Sequence, residues 1–247
     1  QATRGADAQV DLSGVRRGLQ RPWNVPFAWQ TYNCLENHDL VLDADDHREP
    51  RIAALADGSN PRSWYARSRA RAAMALLLTA PGVPLVFMGQ EFLEDKLWSD
   101  NPHRADRLIW WDGLEGEDRH MVDYHRCTRD LIQLRRHHPA LRAEPITVYP
   151  LDDRARVGAF QRWVPGEGHD VVVVVSFAET TFNDYVLGFP AEGRWREIFN
   201  SDFYDHYPND WVRGNQGGIT ADGPARHGMP SSARITLPAN SALVFAR

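Results

Sequence analysis

The feature that most constrains this chain is a change of pattern near residue 140. Before it, short apolar runs alternate with long stretches of helical periodicity. After it, short alternating runs follow one another between Gly, Pro and Asn turns. The first part is expected to build strand–helix units and the second an all-β layer, with domains at 1–141 and 142–247.

In the first part, Phe27 to Leu35 is aromatic and β-prone, and it ends in the polar cluster Glu36-Asn37-His38-Asp39. A helix is predicted through Arg67 to Leu78, capped by Ser59 or Asn60 with Pro61 in its first turn. It is Ala-rich with a basic outer face and stops at Pro81-Gly82. Val83 to Met88 is continuously apolar, as expected of a parallel strand covered on both faces. Gly89-Gln90-Glu91-Phe92 and a Trp-bearing loop follow. The last helix runs roughly from Asp118 to His137, with Tyr124, Cys127, Leu131 and Leu134 on one face. This is the strand–helix–strand–helix order of an α/β parallel fold.

In the second part, strands are predicted at Val157–Val164, Val171–Val175, Asn183–Phe189, Trp195–Asn200, Ser232–Leu237 and Ser241–Ala246. Their number and spacing suit an antiparallel β-sandwich of about 100 residues. Trp195 and Phe199, on one strand, read as core. A complete (β/α)8 barrel takes about 250 residues, so only the last two βα units of one fit before residue 141. Two parallel strands neither close a barrel nor hide their edges. An upstream barrel half or a second copy is expected to cover them.

Several function classes recede on composition. A net charge of −5 argues against a nucleic-acid partner. No apolar run approaches 20 residues, which argues against a membrane-spanning helix. The two cysteines, Cys34 and Cys127, lie in apolar stretches and read as buried thiols, compatible with a cytoplasmic location. Asp43, Asp45, Asp46, His47 and Glu49 look like a metal-binding run, but they lack EF-hand spacing and read as a solvated lid loop. The glycines between Arg213 and Gly218 have no following Lys-Ser/Thr and form no phosphate loop. Gln1 to Gly5 carries no apolar signal core and no initiator Met, which suits a processed or truncated chain.

Active residues of a parallel barrel stand where strands end, on the carboxyl side, and Glu36-Asn37-His38-Asp39 occupies such a position. The same residues would also serve as ordinary loop and turn caps. The order of apolar strand, Asn37-His38-Asp39, helix, and Pro81-Gly82-Val83-Pro84 through Gly89-Gln90-Glu91-Phe92 resembles the α-amylase superfamily of glycoside hydrolases and transferases. Phe87 to Phe92 with Trp98, Arg129-Asp130-Leu131, Arg136-His137-His138-Pro139-Ala140-Leu141 and Gly193 to Asp202 with Gly214-Asn215 and His227-Gly228 resemble glycogen (1,4-α-glucan) branching enzymes. The closing Leu237 to Ala242 fits that pattern too.

By that resemblance, Asp39 is the transition-state-stabilising carboxylate and His38 grips a hydroxyl of the same sugar, beside Asn37. Hydrogen bonds to ring hydroxyls that tighten at an oxocarbenium-like state lower its barrier. A retaining mechanism also needs a nucleophile and an acid/base carboxyl about 5–5.5 Å apart. Neither is recognisable here, so both are expected upstream and the chain alone is expected to be inactive. Trp98 is a candidate glucan contact, with Trp110 and Trp111 weighed beside it. Gly89 and Glu91 are expected to be structural, Glu91 anchoring the loop beneath the cleft through backbone hydrogen bonds. No cofactor or catalytic metal is implied, and the partner is an α-glucan such as glycogen or starch. Asn37, where branching enzymes carry Ser, is commoner among amylases and trehalose-releasing relatives. Hydrolysis therefore stands as an alternative, and a non-catalytic glucan-binding fragment as another.

Overall fold

The computed structural model describes residues 11–43 and 49–247. Its first part comprises helix α1 (Ser13–Leu19), strand β1 (Tyr32–Cys34), helices α2 (Ile52–Leu55) and α3 (Trp64–Thr79), strand β2 (Val83–Leu85) and helix α4 (Arg119–His137). β1 and β2 pair in parallel, Tyr32 opposite Val83 and Cys34 opposite Leu85. Parallel neighbours need a crossover, and the segment carrying α2 and α3 supplies it. Among the described residues this pair is the whole parallel sheet. No closed barrel is formed by them.

Both strands are shorter and more exposed than the sequence predicts. Ala28–Gln30 makes a 3-10 turn, so only the end of the Phe27–Leu35 run is strand. Tyr32, Val83 and Met88 are exposed instead of covered on both faces, because no further strand or helix of the described residues lies over them. At the turn into β2, Gly82 has φ +92°, and a Cβ there would come within 2.9 Å of Thr31 Oγ1. Only glycine fits this approach of the α3–β2 turn to β1.

Helix α3 begins later than predicted. Ser63 is its N-cap and accepts a hydrogen bond from the Ala66 amide, whereas Asn60 accepts from Arg62 in the preceding turn. The expected basic outer face is also corrected. Arg67, Arg69 and Arg71 are buried, at 7%, 1% and 2% exposure. The side of α3 that a lone barrel would present to water is covered here by the β-rich part. Arg67 and Arg71 both pair with Asp205, at 2.9 and 3.2 Å. Arg69 reaches Asn240 Oδ1 at 3.0 Å and Glu179 at 3.2 Å. Helix α4 follows the sequence reading: Asp118 caps it, and Tyr124, Cys127, Leu131 and Leu134 are buried.

The second part holds β3 (Ile146–Val148), β4 (Val157–Trp163), β5 (Asp170–Ser176), β6 (Phe182–Phe189), β7 (Gly193–Asn200), β8 (Ile219–Ala221), β9 (Ser231–Leu237) and β10 (Ala242–Ala246). A six-stranded antiparallel sheet runs β3-β4-β5-β10-β7-β8, and β6 pairs with β9 as a second, two-stranded sheet. The six-stranded sheet is the middle layer. On one face Val171, Val173 and Val175 join the cluster that contains α3 and α4 residues; on the other, Val172 and Val174 join Leu187, Phe189 and Ile235 of the smaller sheet. Burial on both faces explains why β5 is an unbroken valine run.

Trp195 and Phe199 are both buried, as expected of core residues, yet they belong to opposite layers. Four residues apart, an undisturbed strand would point them the same way. The pairing of β7 with β10 skips Ile198, since Val244 faces Phe199 while Phe245 faces Glu197. This bulge turns the face over.

Candidate active site at the end of the first parallel strand

Glu36 follows β1 and is 1% exposed. Arg51 Nε donates to its Oε2 at 2.9 Å, and the Ile52 amide donates to Oε1. Burial pushes the Glu36 carboxyl up from its ordinary range, against the opposing pull of Arg51 and that amide. Arg51 also donates to the Met88 carbonyl at 2.7 Å, and its guanidinium lies 5.6 Å from the Phe87 ring centre. One buried ion pair thus ties the end of β1 to the segment after β2.

On this floor Asn37 turns the chain. Its Oδ1 accepts from the Leu40 amide at 2.9 Å, and its carbonyl accepts from Val41 at 3.2 Å. The turn directs His38 and Asp39 outward, with side chains 64% and 80% exposed and 3.3 Å between His38 Nε2 and Asp39 Oδ1. The Trp98 ring stands edge-on to His38, centres 6.3 Å apart, and to Phe87 at 6.1 Å. Backbone bonds hold it there: Asp43 N donates to Trp98 O at 2.8 Å and Trp98 N to Val41 O at 2.9 Å. The structure therefore brings Asn37, His38, Asp39 and Trp98 to one open surface. Trp110 and Trp111 are also exposed, Trp111 packing against Phe92 with centres 5.4 Å apart.

Loop anchoring falls to a residue that the sequence reading passed over. Glu94, 2% exposed, accepts from the amides of Asp95 and Lys96 at 3.1 Å each and of Trp110 at 2.9 Å. Glu91, expected to do this, makes no hydrogen bond to the described residues. The left-handed turn at Gly89, φ +85°, brings Glu94 so close that a Cβ on Gly89 would lie 2.8 Å from Glu94 Cβ. A side chain at Gly89 would collide with Glu94, and Glu94 holds the loop by its three amide contacts.

Asp43 is not part of a solvated lid. Its side chain is 2% exposed and pairs with Arg104 at 2.8 Å and Arg107 at 2.7 Å, fastening the loop after Trp98. Asp45, Asp46 and His47 lie outside the described residues. No group of three His, Cys, Asp or Glu positioned to hold a metal occurs among the described residues. Cys127 is buried as expected, its thiol pushed up to about 12 by desolvation, but Cys34 is exposed on the uncovered side of β1. No helix among the described residues is long and apolar enough to cross a membrane.

The layered β part and the site at the strand end define a class: a β-sandwich domain appended to strand–helix units. Residues 150–247 match the family described as alpha amylase, C-terminal all-beta domain. Among solved structures, the chain is similar to an Anoxybacillus alpha-amylase, at TM-score 0.55 and 19% identity, covering 87% of this chain and 37% of that one. It is similar to a type I pullulanase from Bacillus subtilis complexed with maltose, at TM-score 0.60 and 20% identity, covering 94% and 30%. A pullulanase from an Anoxybacillus species complexed with maltotetraose gives TM-score 0.57 and 20% identity, covering 90% and 28%. At these identities the likeness is one of fold, and it extends over both parts of the chain. The chain spans about a third of the length of the solved chains it matches.

Proposed function

We propose that this chain is part of an α-glucan-acting enzyme of the α-amylase family, one that forms branches by cutting an α-1,4 bond and passing the chain to a 6-hydroxyl. Asp39 stabilises the oxocarbenium-like transition state through sugar hydroxyls, and His38 and Asn37 hold hydroxyls beside it. Trp98 offers its ring to a neighbouring glucose. The nucleophile and acid/base carboxyls belong to residues beyond this chain.

The observation that carries the reading is the outward pair His38–Asp39. These side chains project from a turn fixed by Asn37, beside Trp98, at the carboxyl end of a parallel strand. They take little part in packing and are open to a ligand. The exposed faces of β1 and β2 support the same reading, because Tyr32 and Val83 sit where a longer parallel sheet would cover them. Asn37 favours hydrolysis as a second outcome of the same chemistry, with water as acceptor. Incubating amylose with the full-length protein separates the two. Loss of iodine staining with new α-1,6 linkages and few new reducing ends marks branching, and reducing ends rising in step with the loss of stain mark hydrolysis. Unchanged amylose would sink both.

A further inference from the structure

The segment between β7 and β8 is long, yet its backbone is tied down along its length. Asn200 Oδ1 accepts from the Asp202 amide at 2.9 Å, and Asn200 Nδ2 donates to the Arg213 carbonyl at 2.8 Å. Asp202 Oδ2 accepts from the Arg213 amide at 3.0 Å, and Asn209 Oδ1 accepts from the Trp211 amide at 2.9 Å. Asn215 donates twice to Glu197 Oε2, at 3.0 and 2.6 Å, and exchanges hydrogen bonds with the Thr236 backbone at 2.8 and 3.0 Å. Gly214 sits so close to this knot that a Cβ would fall 2.6 Å from Asn200 Nδ2.

A rigid loop would be expected to bury its largest apolar side chain, but this one holds Trp211 in water at 87% exposure. The two residues that follow it, Val212 and Arg213, line a cavity of about 620 Å³ together with Asn183, Phe203 and Gln216. The side chains of Asn183, Arg213 and Gln216 make no hydrogen bond to the described residues. Glu197 at the floor accepts from Asn200 and twice from Asn215, so its charge is already met. An anionic ligand would find one cation beside a fixed carboxylate, which is poor complementarity. A neutral ring with hydroxyls around its edge and a C–H face suits amides, a guanidinium and exposed aromatic rings.

We propose that Trp211, Arg213 and the adjoining cavity form a second carbohydrate-binding site, on the β part, that holds an α-glucan segment apart from the Asp39 surface. The choice of glucan rests on the function proposed above; the site itself rests on the loop and cavity. The test is affinity electrophoresis of the 247-residue chain in native gels containing glycogen, with dextran gels as control. Trp211→Ala, Arg213→Ala and Asp39→Ala are compared with the unaltered chain. Truncating a central aromatic or Arg contact weakens binding by about fivefold or more. The expected result is retardation by glycogen that falls at least about fivefold in Trp211→Ala and Arg213→Ala and persists in Asp39→Ala. All three side chains are exposed, so urea midpoints should stay unchanged. Retardation undiminished in the two loop variants, or lost only in Asp39→Ala, would overturn the second site while leaving a glucan enzyme intact. Free migration of the unaltered chain would overturn it as well, and the amylose assay would judge the enzyme separately.

Discussion

Replacing Arg51 by Met would strand the Glu36 carboxylate, 1% exposed, with only the Ile52 amide as hydrogen-bond donor among the described residues. Breaking one side of a buried pair typically costs about 3–5 kcal/mol, and urea unfolding of Arg51→Met should show a loss of that order. A midpoint equal to that of the unaltered chain would mean the pair is not what fastens β1 to the β2 loop. His227 offers a pH test of the same kind. Its Nδ1 accepts the Gly188 amide at 3.3 Å, which needs the neutral ring, and burial followed by the Arg226 charge lowers its pKa below 6.5. The unfolded chain then takes up the proton first, so this residue's contribution to stability falls as pH drops below 6.5. His227→Asn, chosen because Asn tolerates φ +54°, should therefore gain relative to the unaltered chain between pH 7.5 and 5.5. A constant difference between the two would contradict the assignment. At this scale the sequence shows Asn37, His38 and Asp39 plainly, since polar residues crowd the end of an apolar run. Arg51 and Glu94 escape notice because their partners are brought together by loops with no periodic signal.

Helix α3 is the element that joins the two parts. Its arginines resemble a solvated stripe in the sequence, and they are buried because the β part lies over them. Asp205 receives both Arg67 and Arg71. Burial pushes its carboxyl upward, but Arg71 and Arg67 outweigh that and hold it below 3.8. Its contribution to stability is therefore complete above that value and is lost as pH falls through the lowered pKa. Asp205→Ala leaves two buried guanidinium groups without this partner and should cost about 3–5 kcal/mol in urea unfolding. A loss below about 1 kcal/mol would place the junction elsewhere, in the valine and alanine packing of β5 and β10. The strands show a similar division. β4, β5, β6, β7, β9 and β10 were legible from alternation or an apolar run, whereas β3 and β8 have three residues each and carry no pattern. The bulge at Ile198 was likewise hidden, because it depends on the register against β10.

Over the whole molecule, a well-covered middle sheet contrasts with a parallel pair left open, and the surface proposed for catalysis lies at the end of that pair. Because the proposed reaction needs a nucleophile and an acid/base carboxyl that this strand end does not supply, the isolated chain is expected to show no turnover of amylose. The closest single test concerns Asp39, whose side chain is 80% exposed and lies 3.3 Å from His38 Nε2. In the full-length protein, Asp39→Asn should lower amylose turnover by about 10²–10³, the loss typical of removing one transition-state stabiliser. The urea midpoint should stay where it was. An Asp39→Asn enzyme that works within about fivefold of the unaltered one would contradict the assignment of this strand end to catalysis.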